Sequence, residues 1–476
     1  ALGGLRTART WALFGGALAA WAALSPGLDF RRAGAAVFFF AWAGLAALFS
    51  PDPAASLAAF ARLAALGFFF LAASEEGAEG WLKAVKGLGF VAAVTLAAQR
   101  LAGLPPHGFI GANPNYSAAF CAAAFPLAAL GLSGEGPRRE RWGHGLLLVL
   151  LAAGLACSGS RGGTLAALAA AGTGLAVLRR WRWLAGLVVC TAALAALLPA
   201  SAWEAALKLG DPRAFARPRI WGAALAAAAD RPLLGWGPGL FERAFEAFKF
   251  PFFDGISYYG HFTPHAHSEP LNVAAEAGFP AAFFFLAAAA VGLLSGGRER
   301  LAVKLCALAA LLQACADITF YSGAVALLFW GSLAFSRSPR PAGGRWYAVP
   351  AAVILGGLAF GALRASGPDA FRLAAYREAA GSPPLSLAIA SSVLHERPMD
   401  ATLHAARGRA LAAAGDLRGA AAAFARALEL EPFYAGAREG LSLALAAGGR
   451  RAEACAAAAA APAPVVEPEN AYQREL

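Results

Sequence analysis

The sequence predicts an all-α protein, a polytopic transmembrane helical bundle of about 12 helices followed by a C-terminal α-helical domain. Hydrophobic residues make up 59% of the 476 residues and charged residues only 14%, whereas about a quarter of the residues of a soluble domain are charged. About a dozen apolar runs approach the ~20 residues that a helix needs to cross a bilayer. Because these runs are continuously apolar and do not alternate, helices are favoured over a transmembrane barrel.

The predicted spans are 10–27, 33–50, 54–74, 81–101, 114–133, 143–158, 162–178, 182–200, 269–295, 301–317, 319–336 and 346–364. Short basic groups at 138–141, 179–182, 298–300 and 337–340 separate some of them, in the pattern of cytoplasmic loops. Placing these groups inside puts the large loop 201–268 and everything after residue 364 outside. The same count puts Arg6 and Arg9 outside, against the rule, so either span 10–27 does not cross fully or another helix precedes it.

The net charge of +11 does not indicate a nucleic-acid partner, because the basic residues are spread between apolar runs and form no single patch. The six cysteines form no CxxC pair, so neither a zinc site nor a disulfide framework is indicated. We therefore expect no cofactor and no nucleic acid.

After residue 366 the composition changes. Residues 401–432 have apolar positions at helical spacing and a Gly-Asp break in the middle. Small and apolar residues at the spacing of a tetratricopeptide repeat are Gly408, Ala420, Phe424, Ala427 and Pro432. We predict two to three such repeats over about 367–455 and a disordered tail over 456–476. The alternative is an Ala-rich helical hairpin without repeat character.

The segment 211–278 interrupts the apolar pattern and is where we place the function. In a chain otherwise rich in Ala, Leu, Phe and Gly, its cationic and titratable side chains include Arg217, Arg219, Arg231, His261, His265 and His267. Charged groups beside a membrane are costly, so their presence there suggests a functional site.

Arginines on both sides of this loop could bind an anion. Arg161 lies in the stretch CSGSRGG at the start of a span, where a helix N-terminus offers backbone N–H groups. Arg217 and Arg219 open an amphipathic stretch that continues as IWGAALAAAAD. The alternatives are an arginine that reaches lipid phosphate and an interfacial helix with basic anchors.

Histidines just before residue 270 could supply a base. A histidine of near-neutral pKa accepts the proton of a sugar hydroxyl. His265 and His267 could also suggest a metal, but no third ligand stands at the usual spacing. Arginines that hold a diphosphate and a histidine that activates a nucleophile together describe a polyprenyl-diphosphate sugar donor, for which no metal is needed.

Five short motifs carry a resemblance to a known family. In chain order they are Ser160-Arg161-Gly162, Arg219-x-Trp221, the stretch PLLGWG at 232–237, His267-x-x-x-Leu271 and Glu276-x-Gly278. With the GANPN stretch at 111–115, they resemble the O-antigen ligase and O-antigen polymerase superfamily of bacterial envelope glycosyltransferases, most strongly over about 110–335. Some members carry tetratricopeptide repeats after the last span.

The resemblance implies a GT-C-like helical fold and a metal-independent, inverting transfer of a glycan from undecaprenyl diphosphate to an acceptor hydroxyl. On the matching positions, Arg161 and Arg219 would bind the diphosphate and His267 would be the general base. Arg217, His265 and Glu276 would support them, and Ser268 stands where the family usually has Asn. The protein would lie in the bacterial inner membrane, with the active loop and the repeats on the periplasmic side.

The acceptor stays open at this stage. A ligase would transfer the glycan to lipid A core, a polymerase would extend an O-antigen or exopolysaccharide, and a protein O-oligosaccharyltransferase would modify a protein. The repeats could dock a protein partner. The non-enzymatic alternative is a transporter or scaffold, for which Arg62 and Asp317 are the candidate charges deep inside spans; no inverted repeat supports it.

Overall fold

The computed structural model describes residues 34–73, 77–111, 113–207, 216–336 and 383–458. Within these ranges all regular secondary structure is helical, which confirms the predicted all-α fold. Four of the described helices are long and apolar enough to cross a membrane, and shorter apolar helices accompany them. The described chain is therefore consistent with a helical membrane bundle.

The helices are α1 (Gly34–Leu48), α2 (Pro53–Ala72), α3 (Ala78–Leu101), α4 (Pro114–Leu132), α5 (Arg138–Ser158), α6 (Arg161–Val177), α7 (Trp181–Leu197), α8 (Ala200–Leu207), α9 (Arg217–Asp230), α10 (Phe241–Phe248), α11 (Glu269–Leu294), α12 (Leu301–Ala314), α13 (Gly323–Ser336), α14 (Pro383–Glu396), α15 (Ala401–Ala413), α16 (Leu417–Leu430), α17 (Ala435–Ala447) and α18 (Arg451–Ala457). Short 3-10 turns lie at Arg298–Arg300 and Thr319–Tyr321.

The predicted spans that fall in the described ranges coincide with helices to within a few residues. The span predicted over 319–336 differs at its start, since the chain forms a 3-10 turn there and the α-helix begins at Gly323. Spans 10–27 and 346–364 lie outside the described residues, as do the start of the first predicted repeat and the tail after residue 458.

The described residues divide into two compact units. The first takes the residues up to Trp221, Pro232–Pro238, and the residues from Ala266 to α13. The second takes Gly222–Arg231, Gly239–His265 and helices α14 to α18. The second unit thus combines part of the large loop with the C-terminal helices, a grouping that the sequence does not suggest.

Helix α4 forms the centre of one core of the first unit, and every residue from Tyr116 to Ala129 is buried. Two glycines let its neighbours come close. A Cβ on Gly89 of α3 would lie 2.4 Å from the Ala124 Cβ, and a Cβ on Gly154 of α5 would lie 2.7 Å from the Ala93 Cα. Small residues at such contacts allow helices to pack closely in lipid, where no hydrophobic effect drives them together.

In the second unit, α14 to α18 pack each against the next. Asp400 and Asp416 cap α15 and α16 through their side chains. A Cβ on Gly408 would lie 2.9 Å from the Phe424 ring, and a Cβ on Gly440 would lie 2.5 Å from the same ring. A larger residue at either of these positions, 32 residues apart in the sequence, would have to displace the Phe424 ring; the tetratricopeptide assignment itself stays a prediction.

Helix α11 of the first unit is broken at Gly278, which has φ 81° and ψ 170°. Pro280 follows and has no N–H for the Glu276 carbonyl, and the break also frees the Ala275 carbonyl. The segment Pro232–Pro238 supplies the missing partners. Trp236 N donates to the Ala275 carbonyl at 2.9 Å and Gly237 N to the Glu276 carbonyl at 2.7 Å.

The two segments also bond in the opposite direction, because Phe279 N donates to the Pro232 carbonyl at 2.9 Å. Helices α1 and α2 also bind residues 232–238. Trp42 Nε1 of α1 donates to the Leu233 carbonyl, and Ser56 Oγ of α2 donates to the Pro238 carbonyl. The carbonyls of Ala275 and Glu276 and the N–H of Phe279 therefore find partners inside the protein. A helix break within a membrane requires such partners, because lipid offers none. We call this arrangement, formed by residues 232–238 and 275–279, the backbone lock.

The backbone lock explains why glycine occurs at 235 and 278. Gly235 has φ 64°, and a Cβ there would lie 2.4 Å from the Glu276 carbonyl carbon. A Cβ on Gly278 would lie 2.2 Å from the Leu233 carbonyl oxygen. Both positions combine a left-handed backbone with a direct approach of two main chains, so no other residue fits.

Gly235→Ala and Gly278→Ala should each lower the free energy of unfolding by about 2 kcal/mol or more, because strain and main-chain overlap add. The measurement is the thermal unfolding midpoint of the purified protein in detergent, followed by intrinsic fluorescence. Gly186→Ala in α7 is the matched control, since a Cβ there meets nothing within 4 Å. Equal midpoints for all three variants would contradict the lock.

Candidate functional site

A polar cluster in the first unit is built around Gln313, in the last turn of α12. Its side chain is fully buried. The Gln313 Nε2 donates to the Asn115 carbonyl at 3.0 Å and makes a longer contact of 3.5 Å with Ser160 Oγ. Asn115 lies in the first turn of α4 and Ser160 caps α6, so one buried amide joins the N-terminal ends of two helices.

The sequences at these two helix starts are capping sequences. Asn113 caps α4 by accepting from Asn115 N at 2.9 Å, with Pro114 in the first helical position. Ser160 Oγ accepts from Gly163 N at 3.2 Å. The backbone N–H groups at such ends carry partial positive charge, which favours an anion nearby.

Asp317 lies just beyond α12 and is buried. Its Oδ2 accepts a short hydrogen bond from Asn115 Nδ2, and its Oδ1 accepts from Ile318 N at 2.8 Å. Arg217, the first residue of α9, donates from Nη1 to the Ala316 carbonyl at 2.7 Å. The Arg217 guanidinium therefore binds the carbonyl of the residue that precedes Asp317.

His267 lies immediately before α11 in a left-handed conformation, with φ 54°. Among the described residues only Arg179 is another non-glycine residue of positive φ. Asn272 in the first turn of α11 holds this turn: its Oδ1 accepts from Ala266 N at 3.1 Å, and its N donates to the Ser268 carbonyl at 2.8 Å. An uncommon backbone conformation kept by surrounding bonds suggests a functional constraint.

The surroundings of His267 favour its neutral form. Burial lowers the pKa of the imidazole below its usual value, the positive charge of Arg217 lowers the pKa further, and the Asp317 carboxylate opposes both. The Nδ1 atom is buried without a hydrogen-bond partner among the described residues. A neutral imidazole with an unsatisfied nitrogen can accept a proton from a ligand hydroxyl.

The other predicted site residues take different positions. Arg161 is half-buried and begins α6 directly after Ser160, while Arg219 is exposed in the first turn of α9. Glu276 is half-buried and contributes its carbonyl to the backbone lock. His265 belongs to the second unit, where its carbonyl accepts from Thr263 Oγ1 at 2.8 Å.

The structure thus brings His267, Arg217 and Asp317 within electrostatic reach of one another. Through Gln313 and Asn115, the same cluster continues to the helix start that carries Arg161. The roles of Arg219 and of the Glu276 carboxyl stay predictions.

Arg231 and His261 also lie in the second unit. Arg231 is paired with Asp230 at 3.7 Å near the surface. The His261 ring packs against Phe245, Phe250 and Phe252, with centroid distances of 5.0–6.0 Å. Burial first, and the charge of Lys249 second, lower the pKa of His261 to about 4, so this histidine is a neutral packing residue at pH 7.

Sequence reasoning missed Gln313, and it considered Asp317 only as a charge inside a span. A signal existed for both residues. Each is a polar side chain at the end of an apolar run, and burying such a group is costly unless it finds partners. Their partner Asn115 lies about 200 residues away in sequence, and no local pattern links positions so far apart.

The described ranges contain no group of three or more His, Cys, Asp or Glu residues that could hold a metal ion. The site is instead rich in arginine and in helix N-terminal ends. Such groups can neutralise an anion without a metal.

Comparison with known proteins bears on the same segment. No curated protein matches the chain. Residues 146–286 match the family described as O-antigen ligase. The matched segment contains all six residues that the sequence predicts for the site: Arg161, Arg217, Arg219, His265, His267 and Glu276. The resemblance found in the motifs is thereby confirmed over residues 146–286, which form an O-antigen ligase domain in a chain whose apolar helices fit a membrane protein.

Proposed function

We propose that this protein transfers a glycan from a polyprenyl diphosphate to an acceptor hydroxyl without a metal, with His267 as the general base. One observation carries the proposal. His267 is held in a left-handed turn with a buried, unpartnered Nδ1, between the charges of Arg217 and Asp317. That environment provides a neutral imidazole at pH 7 and a place for the proton that it takes up.

In the proposed step, the acceptor oxygen attacks the anomeric carbon of the lipid-linked glycan. The O–H proton passes to the His267 imidazole as the new C–O bond forms. The bond between the anomeric carbon and the phosphate oxygen breaks, and the polyprenyl diphosphate leaves with the bonding electrons. Attack opposite the leaving group inverts the anomeric carbon.

Positive groups stabilise the diphosphate that leaves. Arg161 and Arg219 are proposed to bind it, since a guanidinium matches phosphate oxygens in a bidentate manner. The capped N-terminal ends of α4 and α6, joined by Gln313, add partial positive charge. Preorganised charge of this kind can replace a metal at a developing anion.

Asp317 would serve the histidine after proton transfer. Its carboxylate accepts a hydrogen bond from Asn115, and its negative charge raises the pKa of His267. When the imidazole becomes positive, this carboxylate stabilises it, as the aspartate of a Ser-His-Asp triad does. Before the reaction, the positive charge of Arg217 disfavours protonation of His267. The two charges therefore have opposite effects on the pKa of the base.

We further propose that the reaction takes place at the periplasmic face of the bacterial inner membrane, with lipid A core as acceptor and undecaprenyl diphosphate as carrier. Basic loops on the opposite side support this orientation. The product distinguishes the related activities: glycan on lipid A core indicates a ligase, longer carrier-linked chains a polymerase, and a modified protein an O-oligosaccharyltransferase.

His267→Ala should lower transfer by about 10²–10⁴-fold, because general-base catalysis is lost. Arg161→Ala and Arg219→Ala should each lower it by about 10²-fold or more, and Arg219→Lys should retain part of the rate because the charge remains. The measurement is transfer in nanodiscs from an undecaprenyl-diphosphate oligosaccharide to lipid A core, with EDTA present.

The matched controls are His395→Ala in α14 and Arg100→Ala in α3, both of which change an exposed side chain outside the site. They should keep the parent rate. Parent activity that disappears with EDTA would contradict the metal-independent mechanism, and full activity of His267→Ala would contradict the proposed base.

The dependence of kcat/KM on pH should report the charge balance at His267. Because the pKa of His267 lies below its usual value of about 6.5, the parent activity should fall only below that pH. Arg217→Gln removes a positive charge, which raises the pKa and moves the acid limb to higher pH. Asp317→Asn removes a negative charge and should move the limb the opposite way.

Arg100→Gln serves as the control for a distant charge and should leave the limb where it is. If Arg217→Gln and Asp317→Asn moved the limb in the same direction, or neither moved it, the titrating group would not be His267.

A further inference from the structure

Within the second unit, one carboxylate of the C-terminal helices binds the backbone of the large loop. Glu431 follows directly after α16 and is fully buried. Its Oε2 accepts from Tyr258 N and its Oε1 from Tyr259 N, both at 2.7 Å. Hydrogen bonds to a charged acceptor are shorter and stronger than neutral ones, so two consecutive amides of the loop are held by a single side chain.

The loop presents these amides because a tight turn precedes them. Asp254 Oδ1 accepts from Ile256 N at 3.0 Å and from Ser257 N at 2.8 Å. Phe252 N then donates to the Tyr258 carbonyl at 2.8 Å. We call residues 252–259 the loop tip. The turn itself uses the amides of Ile256 and Ser257, and Glu431 binds the next two amides.

Further contacts hold the loop tip to the same helices. The Phe253 ring stacks on the Phe433 ring, with centroids 5.7 Å apart and planes at 22°. The Tyr259 side chain packs against the hydrophobic core formed by α15 to α18. The contact between loop and helices is thus both polar and apolar.

A buried ion pair supports the loop tip from the loop side. Lys249 Nζ binds Glu246 Oε2 at 2.9 Å and donates to the Tyr259 carbonyl at 2.7 Å. Both side chains are almost fully buried. The Tyr259 peptide is therefore fixed on two sides, with its N–H on Glu431 and its carbonyl on Lys249.

The loop tip provides hydrogen bonds that a buried Glu431 carboxylate needs. An ionised carboxylate removed from water is strongly destabilised unless hydrogen bonds replace its hydration. The loop tip supplies two of those bonds. The C-terminal helices and residues 239–265 therefore behave as one folded unit, in which part of the helical surface is occupied by the chain itself.

We propose that Glu431 is a positioning residue: through it the C-terminal helices clamp the loop tip and so fix the segment that runs on through His265 to His267. The effect on transfer rests on the proposed function; the clamp itself does not. This assigns the helices a role within the chain, in addition to the partner docking that repeats of this kind suggest.

Hydrogen exchange of the full-length protein in nanodiscs tests the clamp without requiring activity. Glu431→Ala should speed exchange of the Tyr258 and Tyr259 amides by about tenfold or more, and should also speed exchange across residues 260–268. Glu429→Ala is the matched control, because Glu429 lies in the last turn of α16, just before Glu431, and its exposed carboxylate pairs with Arg426. It should leave the loop unchanged.

Amides of α15 and α16 should stay protected in both variants, which shows that the helices remain folded. Unchanged exchange of the loop in Glu431→Ala would overturn the proposal. If Glu431→Ala fails to fold, Phe433→Leu removes the ring stack while keeping the carboxylate; it should speed exchange of the loop tip, and unchanged exchange there would equally overturn the clamp.

A pH profile separates positioning from a general loss of folded protein. Fewer folded molecules would lower the amplitude of kcat/KM but not shift its acid limb. A loosened His267 becomes more hydrated and less fixed relative to Arg217 and Asp317, the charged groups that face it. Glu431→Ala should therefore lower transfer by about tenfold or more and move the limb to higher pH, while Glu431→Gln, which keeps one acceptor oxygen, should lie between.

The two proposals fail in different ways. A parent protein that transfers no glycan, yet shows a protected loop that Glu431→Ala releases, overturns the proposed function and leaves the clamp standing. A parent that transfers glycan, with a released loop and an unshifted limb in Glu431→Ala, overturns the positioning of His267.

Discussion

The backbone of α11 cannot continue through Gly278, and the rest of the site depends on how its freed hydrogen-bonding groups are satisfied. Residues 232–238 bind the carbonyls of Ala275 and Glu276 and accept from Phe279 N. Inside a bilayer, an unsatisfied peptide group costs several kcal/mol, on the order of the net stability of a small domain. The break, residues 232–238 and helix α11, which begins two residues after His267, are therefore one structural element.

The proposed chemistry depends on a balance of charges just before that helix. A histidine beside an arginine alone would be a weak base, and one beside an aspartate alone would be protonated too readily. His267 lies near both Arg217 and Asp317, and burial favours its neutral form. The buried amides of Gln313 and Asn115 extend the same network to the helix start that bears Arg161, where a leaving diphosphate would find positive groups.

The C-terminal helices are joined to the large loop through the loop's main chain. Glu431 binds two amides of the loop tip, so a region that looks like an independent binding module shares its fold with the loop. The segment that leads to the proposed base is therefore held by contacts within its own chain. The order of a loop and the protonation of a base can be coupled in this way.

Composition and motif order alone determine much about this protein. Apolar runs predict the helices to within a few residues, since lipid admits few other structures. The ordered motifs around Arg161, Arg219 and His267 predict the family that matches residues 146–286. Tertiary structure alone decides the rest. It shows that Gly235 and Gly278 meet main chain to main chain, that Asp317 serves Asn115 and His267, and that Glu431 belongs to a loop about 170 residues earlier. The physical reason is that hydropathy is a property of neighbouring residues, whereas partners of buried polar groups are chosen by packing across the whole chain.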